Sequence, residues 1–179
     1  MADTRRTVSA LQTLLADNTT GDISPQDLRD FLVSAAPEYG GLYISSSAAT
    51  TIGGAGTPTK ASGTTASIGA SSNITVATTN RITYTGAADI AVIVLFACSM
   101  TCASSTVTLG ISVAENGTQI ASTEVFRKIG TGSDQGAAST FGIATLSQND
   151  YVEMFVTNED GTGAVTLTKG IFAVLGIMT

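Results

Sequence analysis

From about residue 73 to the C terminus, apolar and polar residues alternate with a period of two. The alternation is clearest in STVTLGISVAENGTQI, where the apolar positions are Val107, Leu109, Ile111 and Val113. This pattern is typical of a strand with one face towards solvent. The Asn116-Gly117 pair that follows predicts a two-residue hairpin, and NEDGTG at 158–163 predicts another turn. The sequence therefore predicts a mainly antiparallel β domain.

Two segments, IAVIVLFA and the C-terminal IFAVLGIM, are apolar at successive positions instead of alternating. Strands of this kind are covered on both faces, whereas a sandwich usually leaves the outer face of each sheet polar. A second copy of the chain is the simplest cover for the outer face. The number of strands, roughly eight with turns between them, predicts a double-sheet jelly roll.

The first 36 residues have helical patterning instead. Ser24 is a good N-cap, Pro25 suits the first helical position, and Asp27 completes a capping box. The apolar residues of this helix, which ends before Pro37, form one stripe: Leu28, Phe31 and Leu32. A weaker upstream stripe consists of Val8, Leu11, Leu14 and Leu15. Helices this short need a docking surface, which is either this subunit's own sheet or a partner.

Residues 45–80 contain one charged residue, Lys60, and no aromatic residue. Their Ser, Thr and Gly content is typical of a flexible linker. The alternative is that spaced isoleucines mark edge strands, and we expect a mixture, with loops near the Gly-rich parts and extended segments elsewhere. The predicted organisation is a helical anchor over 1–40, a linker or edge strands over 41–80, and a jelly roll over 81–179.

Charged residues make up only 12% of the chain, about half the usual share, which favours subunits covered by their neighbours. The net charge of −6 argues against a nucleic-acid partner. The longest apolar run, AADIAVIVLFACSM, has 14 residues including Asp89, too few to cross a bilayer as a helix. We therefore expect no membrane partner.

Little in the sequence points to chemistry. The chain has no histidine, so it lacks the base of a serine-hydrolase triad. Cys98 and Cys102 would lie about 13 Å apart on one strand, too far for a disulfide, and we expect both to be small buried side chains. Paired carboxylates occur at Glu159-Asp160 and at Asp150 with Glu153, where turns favour acidic residues. We expect no enzyme activity, no metal and no cofactor.

Residues 80–178 resemble the trimeric jelly roll of the tumour necrosis factor and C1q head domains. ADIAVIVLFACSMT is similar to that family's central strand, VTLGISVAENGTQI to its next hairpin, and GIFAVLGIM to its closing strand. The turn differs, since Asn149-Asp150 stands where the family commonly has Gly-Asp. The resemblance implies a homotrimer. The expected interface residues are Ile93, Leu95, Tyr151, Phe155, Phe172 and Val174.

The segment TVSALQTLLADNTTGDISPQDLRDFLVS resembles the leading segments of tailed-bacteriophage virion proteins. This resemblance implies a structural role on the outer surface of a virion, as a homotrimeric capsid decoration or head-fibre protein. The expected partner is the major capsid protein or another virion protein. The expected docking residues are Val8, Leu11, Leu15, Leu28, Phe31 and Leu32.

Two other functions stay open at this point. The first is a tail-fibre tip whose loops bind a glycan or protein of the host surface. The second is a sugar-cleaving fibre module, which would need Asp150 and Glu153 to converge with another carboxylate in a cleft.

Overall fold

The computed structural model describes residues 6–14, 23–104, 106–130 and 134–177. Short helices precede a β sandwich in this part of the chain. The helices are α1 (Val8–Leu14) and α2 (Pro25–Ala35). The strands are β1 (Tyr39–Ser47), β2 (Ala49–Thr50), β3 (Thr59–Lys60), β4 (Gly63–Ser67), β5 (Ile74–Ala77), β6 (Arg81–Tyr84), β7 (Ile90–Cys102), β8 (Val107–Glu115), β9 (Thr118–Gln119), β10 (Val125–Ile129), β11 (Gly136–Leu146), β12 (Tyr151–Asn158) and β13 (Val165–Ile177).

The strands form two sheets whose pairings are antiparallel. Sheet A has the order β11-β7-β13-β1-β4, with β2 beside β13. Sheet B has the order β10-β8-β12-β6-β5, with β3 beside β12 and β9 beside β8. The hairpin predicted at Asn116-Gly117 joins β8 to β9, and both residues have positive φ, 49° and 80°, as a type I′ turn requires. The predicted antiparallel jelly roll is confirmed.

The core lies between the inner faces of the two sheets. The long strands β7 and β13 supply Phe96 and Phe172, whose rings meet edge to face with centroids 5.7 Å apart. Ile111 of β8 and Met154 of β12 face them from sheet B, and all four side chains are buried. Burial of these apolar side chains is the main stabilising contribution to the fold.

Residues 41–80 form a mixture of strands and connecting loops, and the strands belong to the two sheets. β1 lies inside sheet A between β13 and β4, and β5 forms an edge of sheet B. Lys60 on β3 pairs with the buried Glu153 of β12, with Nζ 2.5 Å from Oε1. The sandwich therefore begins at Tyr39, and the boundary predicted at residue 81 is wrong. Small side chains at residues 45–47 of β1 and along β4 gave this region the composition of a linker, although such side chains fit closely packed strands.

Both cysteines are buried and free, as the sequence predicted. In the described part of the chain, the helices are too short or too polar to cross a membrane.

Candidate assembly surfaces

The outer face of sheet A carries large apolar side chains that solvent reaches. We call it the apolar face. It consists of Tyr39, Tyr43, Ile93, Leu95, Phe141, Ile143, Ile171 and Leu175. Strand register makes it continuous, because Ile143 pairs with Ile93 and Ile93 with Leu175. The most exposed members are Phe141 at 70% and Ile143 at 65%, both on the edge strand β11.

The outer face of sheet B differs in character. Its central carboxylate, Glu153, is 2% exposed and pairs with Lys60 and with Arg81, whose Nη2 lies 2.9 Å from Oε1. The Arg81 guanidinium also lies 3.8 Å from the centre of the Tyr151 ring. These polar groups are satisfied within one chain. Among the described residues Phe126 is exposed on sheet B, but the continuous exposed apolar surface is on sheet A. Continuous patches of this kind usually mark an interaction site.

The structure divides the six predicted interface residues among three places. Ile93 and Leu95 lie on the apolar face. Tyr151 and Phe155 lie on sheet B, where Phe155 is 8% exposed. Phe172 and Val174 are 0% and 3% exposed and lie in the core.

The predictions for Phe155, Phe172 and Val174 are therefore wrong, because this chain already buries those side chains. In β13 the outward residues are the neighbours Ile171 and Leu175. The prediction also missed Phe141 and Ile143. Their signal was present in STFGIATL, where these two residues and the smaller side chains between them alternate at a strand's period.

A groove of about 700 Å³ opens on sheet A beside the bulky part of the apolar face. We call it the sheet A groove. Its lining includes Ala97, Ser99, Ala137 and Ser139, with Tyr43, Ile171 and Lys169 among the larger side chains. A register shift in β13 between Leu167 and Lys169 interrupts the regular ladder at this level. Small side chains and the bulge together leave the hollow.

The other exposed apolar surface is on α2, whose start forms as predicted. The Ser24 hydroxyl accepts a hydrogen bond from the Asp27 amide, and the Asp27 carboxylate accepts one from the Ser24 amide. These bonds lower the pKa of Asp27. The capping box fixes where the helix begins and hence which residues share a face.

The buried side of α2 is polar. Asp30 and Ser34 are 1% and 3% exposed. Arg6 pairs with Asp30, with Nη2 2.9 Å from Oδ2, and its backbone amide donates to the Ser34 hydroxyl at 2.7 Å. The segment that leads into α1 is thus bound to α2 through polar groups. An amphipathic helix usually buries its apolar side, whereas α2 buries its polar side.

The apolar side of α2 is open to solvent, most fully at Leu28 and Leu32. Leu28, Phe31 and Leu32, which we call the α2 stripe, are all exposed, as is Ile23. They therefore do not pack on this subunit's own sheet, which was one of the two alternatives. Of the upstream docking residues, Val8 is half-buried and Leu11 is buried. Leu15 lies outside the described residues.

The carboxylates proposed for catalysis have structural partners. Asp150 accepts hydrogen bonds from the Ser147 amide and the Asn116 side-chain amide, each at 2.8 Å. The Glu153 carboxylate is paired with the Lys60 ammonium and the Arg81 guanidinium. Among the described residues, no group of three His, Cys, Asp or Glu side chains could hold a metal ion. The Asp150 carboxylate thus stabilises a turn, and the Glu153 carboxylate takes part in a buried ion pair.

Two pKa shifts reflect burial. Desolvation raises the pKa of the Cys98 thiol to about 12, so the thiol stays protonated near neutral pH. Burial, together with the nearby Asp150 carboxylate, raises the pKa of Glu115.

The two sheets and their connections form a jelly roll of the tumour necrosis factor type. The structure of murine APRIL superposes with a TM-score of 0.52 at 11% identity, covering 78% of this chain and 100% of that one. An Eiger TNF from S. frugiperda (TM-score 0.46, 10% identity) covers 78% of this chain and 93% of that chain. For the globular domain of zebrafish complement 1qA (TM-score 0.41, 10% identity) these shares are 76% and 94%. No family model and no curated protein matches the sequence.

Proposed function

We propose that the protein is a non-enzymatic structural protein of a bacteriophage virion, a homotrimer of capsid decoration or head-fibre type. It lies on the outer surface of the particle. The N-terminal helical segment binds the major capsid protein or another virion protein, and the jelly roll projects outward. The observation that carries the proposal is the apolar face of sheet A, which a single chain leaves open to water.

Self-association is the first part of the proposal. The apolar face places large apolar side chains on four neighbouring strands, and covering them stabilises an assembly by about 25 cal/mol per Å² buried. A stable interface buries roughly 800 Å² per partner, which is the scale of one sheet face. The jelly-roll fold supports three copies, because this fold is characteristic of the trimeric head domains that the sequence resembles.

Anchoring is the second part. The α2 stripe is apolar and exposed, while Asp30 and Ser34 on the polar side of the same helix are already bound to Arg6. An interface built on an aromatic residue flanked by leucines is typical of a binding hot spot. Three such helices on one trimer bind together, so modest individual contacts give a firm attachment.

Two surface variants separate these parts. We expect Ile143→Asp/Leu175→Asp to give a folded monomer by light scattering, because it places charges on the apolar face. We expect Leu28→Asp/Leu32→Asp to stay trimeric but to lose co-sedimentation with virions that lack the protein. A wild-type protein that is monomeric at micromolar concentration would contradict self-association. An α2 variant that co-sediments with virions at wild-type levels would contradict anchoring through the α2 stripe.

A further inference from the structure

Helix α2 and strand β1 are separated by only three residues, 36–38, which we call the α2–β1 connection. Three residues span at most about 10 Å, so the end of α2 stays close to the start of β1. The first residue of β1, Tyr39, pairs with Leu175, and both belong to the apolar face. The helix that carries the α2 stripe is therefore joined directly to the surface proposed for self-association.

The backbone of this connection has little conformational freedom. The ring of Pro37 fixes its own φ at about −65°, and a residue that precedes proline is restricted to extended conformations. Ala36 accordingly has φ −71° and ψ 128°. A connection of this kind differs from the Gly- and Ser-rich linkers that behave as flexible coils.

Glu38 ties the end of the connection to both sheets. The residue is 1% exposed. Its backbone carbonyl oxygen accepts a hydrogen bond from the Gly176 amide of β13, at 2.6 Å, and its Oε1 accepts one from the Asn73 side-chain amide, at 3.0 Å. Gly176 belongs to sheet A, and Asn73 immediately precedes β5 of sheet B. Because breaking the hydrogen bonds of a buried carboxylate is costly, the end of α2 is held at one place on the sandwich.

We infer that the α2–β1 connection is a stiff spacer, and that Pro37 and Glu38 are positioning residues for the α2 stripe. They act through α2, because they fix the direction in which each stripe leaves the trimer. This inference rests on the proposed attachment to virions and names the residues that orient it. Linked contacts strengthen one another only where the geometry lets them engage together, and a preorganised contact loses less entropy on binding than a mobile one.

The test is the insertion of Gly-Ser-Gly-Ser between Ala36 and Pro37. This insertion leaves the α2 stripe, the apolar face and the Glu38 hydrogen bonds in place and changes only the stiffness of the connection. The matched control is the same insertion between Gly53 and Gly54, in the loop from β2 to β3. A side chain at residue 53 would have open space around it among the described residues, so the loop can accept the added length.

The first measurement needs no virion. A fluorescent probe on Arg29→Cys, an exposed position of α2, reports the rotation of the helix, while Cys98 and Cys102 stay unlabelled because both are buried. By time-resolved anisotropy, we expect the probe to rotate with the whole trimer in the chain without an insertion. The insertion after Ala36 should add a fast component of large amplitude, and the control insertion should not. Fast rotation of the same amplitude without any insertion would overturn the stiff spacer.

The second measurement is the apparent Kd for virions that lack the protein, determined by co-sedimentation. The insertion after Ala36 should raise this Kd by roughly tenfold or more, with the trimer intact by light scattering and the control insertion without effect. An unchanged Kd together with a mobile probe would overturn the positioning role and leave anchoring through the α2 stripe standing. A wild-type trimer that does not bind virions would overturn the proposed attachment and this role with it, and the probe would still decide whether the connection is stiff.

A single substitution tests the hydrogen bond to Glu38. Asn73 has a positive φ of 49°, which glycine adopts without strain, so Asn73→Gly removes the side-chain amide and keeps the backbone conformation. We expect a more mobile probe and a Kd raised by up to roughly tenfold, the scale of one hydrogen bond. Asn149→Gly is the matched control, because Asn149 also has a positive φ, 73°. Equal effects of the two substitutions would overturn the positioning role of Glu38.

Discussion

Replacing Phe172 with alanine is expected to destabilise the fold of each subunit, although the resemblance of the closing strand implied a place for this residue between subunits. The side chain is 0% exposed and packs edge to face on Phe96. Truncation of a buried phenylalanine costs about 3–5 kcal/mol, because the transfer free energy is lost and a cavity is left. For a chain of this length, a loss of that size lowers Tm by roughly 6–20 °C.

The measurement is urea or thermal unfolding followed by far-ultraviolet circular dichroism, since the chain has no tryptophan. Wild type and variant are compared at equal subunit concentration, because assembly adds to apparent stability. The control Phe126→Ala removes the same side chain from an exposed site and should change the free energy of unfolding by at most about 1 kcal/mol. If Phe172→Ala kept the wild-type midpoint yet dissociated the oligomer, the placement of Phe172 in the core would be refuted.

Three further predictions concern charge and cysteine chemistry. Replacing both Lys60 and Arg81 with methionine should destabilise the fold more than Glu153→Gln, because only the first leaves a buried carboxylate unpaired; equal urea midpoints would contradict this. Glu115 keeps its proton to a higher pH in the folded chain than in the unfolded chain, because its pKa is raised on folding. Its contribution to stability should therefore fall as pH rises from about 4.5, its ordinary pKa, through the raised value, and Glu115→Gln should flatten that part of the profile. Cys98 should react with a thiol reagent at pH 8 only after unfolding, because burial raises its pKa to about 12; rapid labelling of the native chain would argue against its burial.

Alternation along the chain could predict that β8 and β12 are strands, but not the direction of every side chain. β13 is apolar at successive positions, so Ile171 and Phe172 were equally good candidates for the core. A shift of one residue exchanges the two faces of a strand. Only the packing of Phe172 on Phe96 decides between them.

Composition left residues 41–47 of β1 between a linker and an edge strand for a related reason. Gly41 has no side chain because a Cβ there would lie 2.6 Å from Ile68 Cδ1 and 3.1 Å from the Phe172 carbonyl oxygen. Contacts of this kind involve strands far apart in sequence. A local pattern therefore cannot distinguish a strand rich in Gly and Ser from a linker.

The apolar face and the α2 stripe make separable contributions to the proposed attachment, and their order of importance can be argued from valency. A trimer that has lost the α2 stripe has lost the main exposed apolar contact that its N-terminal segment offers to the particle. A monomer with an intact stripe keeps one contact, but it loses the gain of roughly 10²- to 10⁴-fold that linked contacts provide. Ile143→Asp/Leu175→Asp should therefore weaken sedimentation with virions without abolishing it at high protein concentration. Leu28→Asp/Leu32→Asp should not recover binding at the protein concentrations at which the Ile143→Asp/Leu175→Asp monomer saturates its sites on the virion.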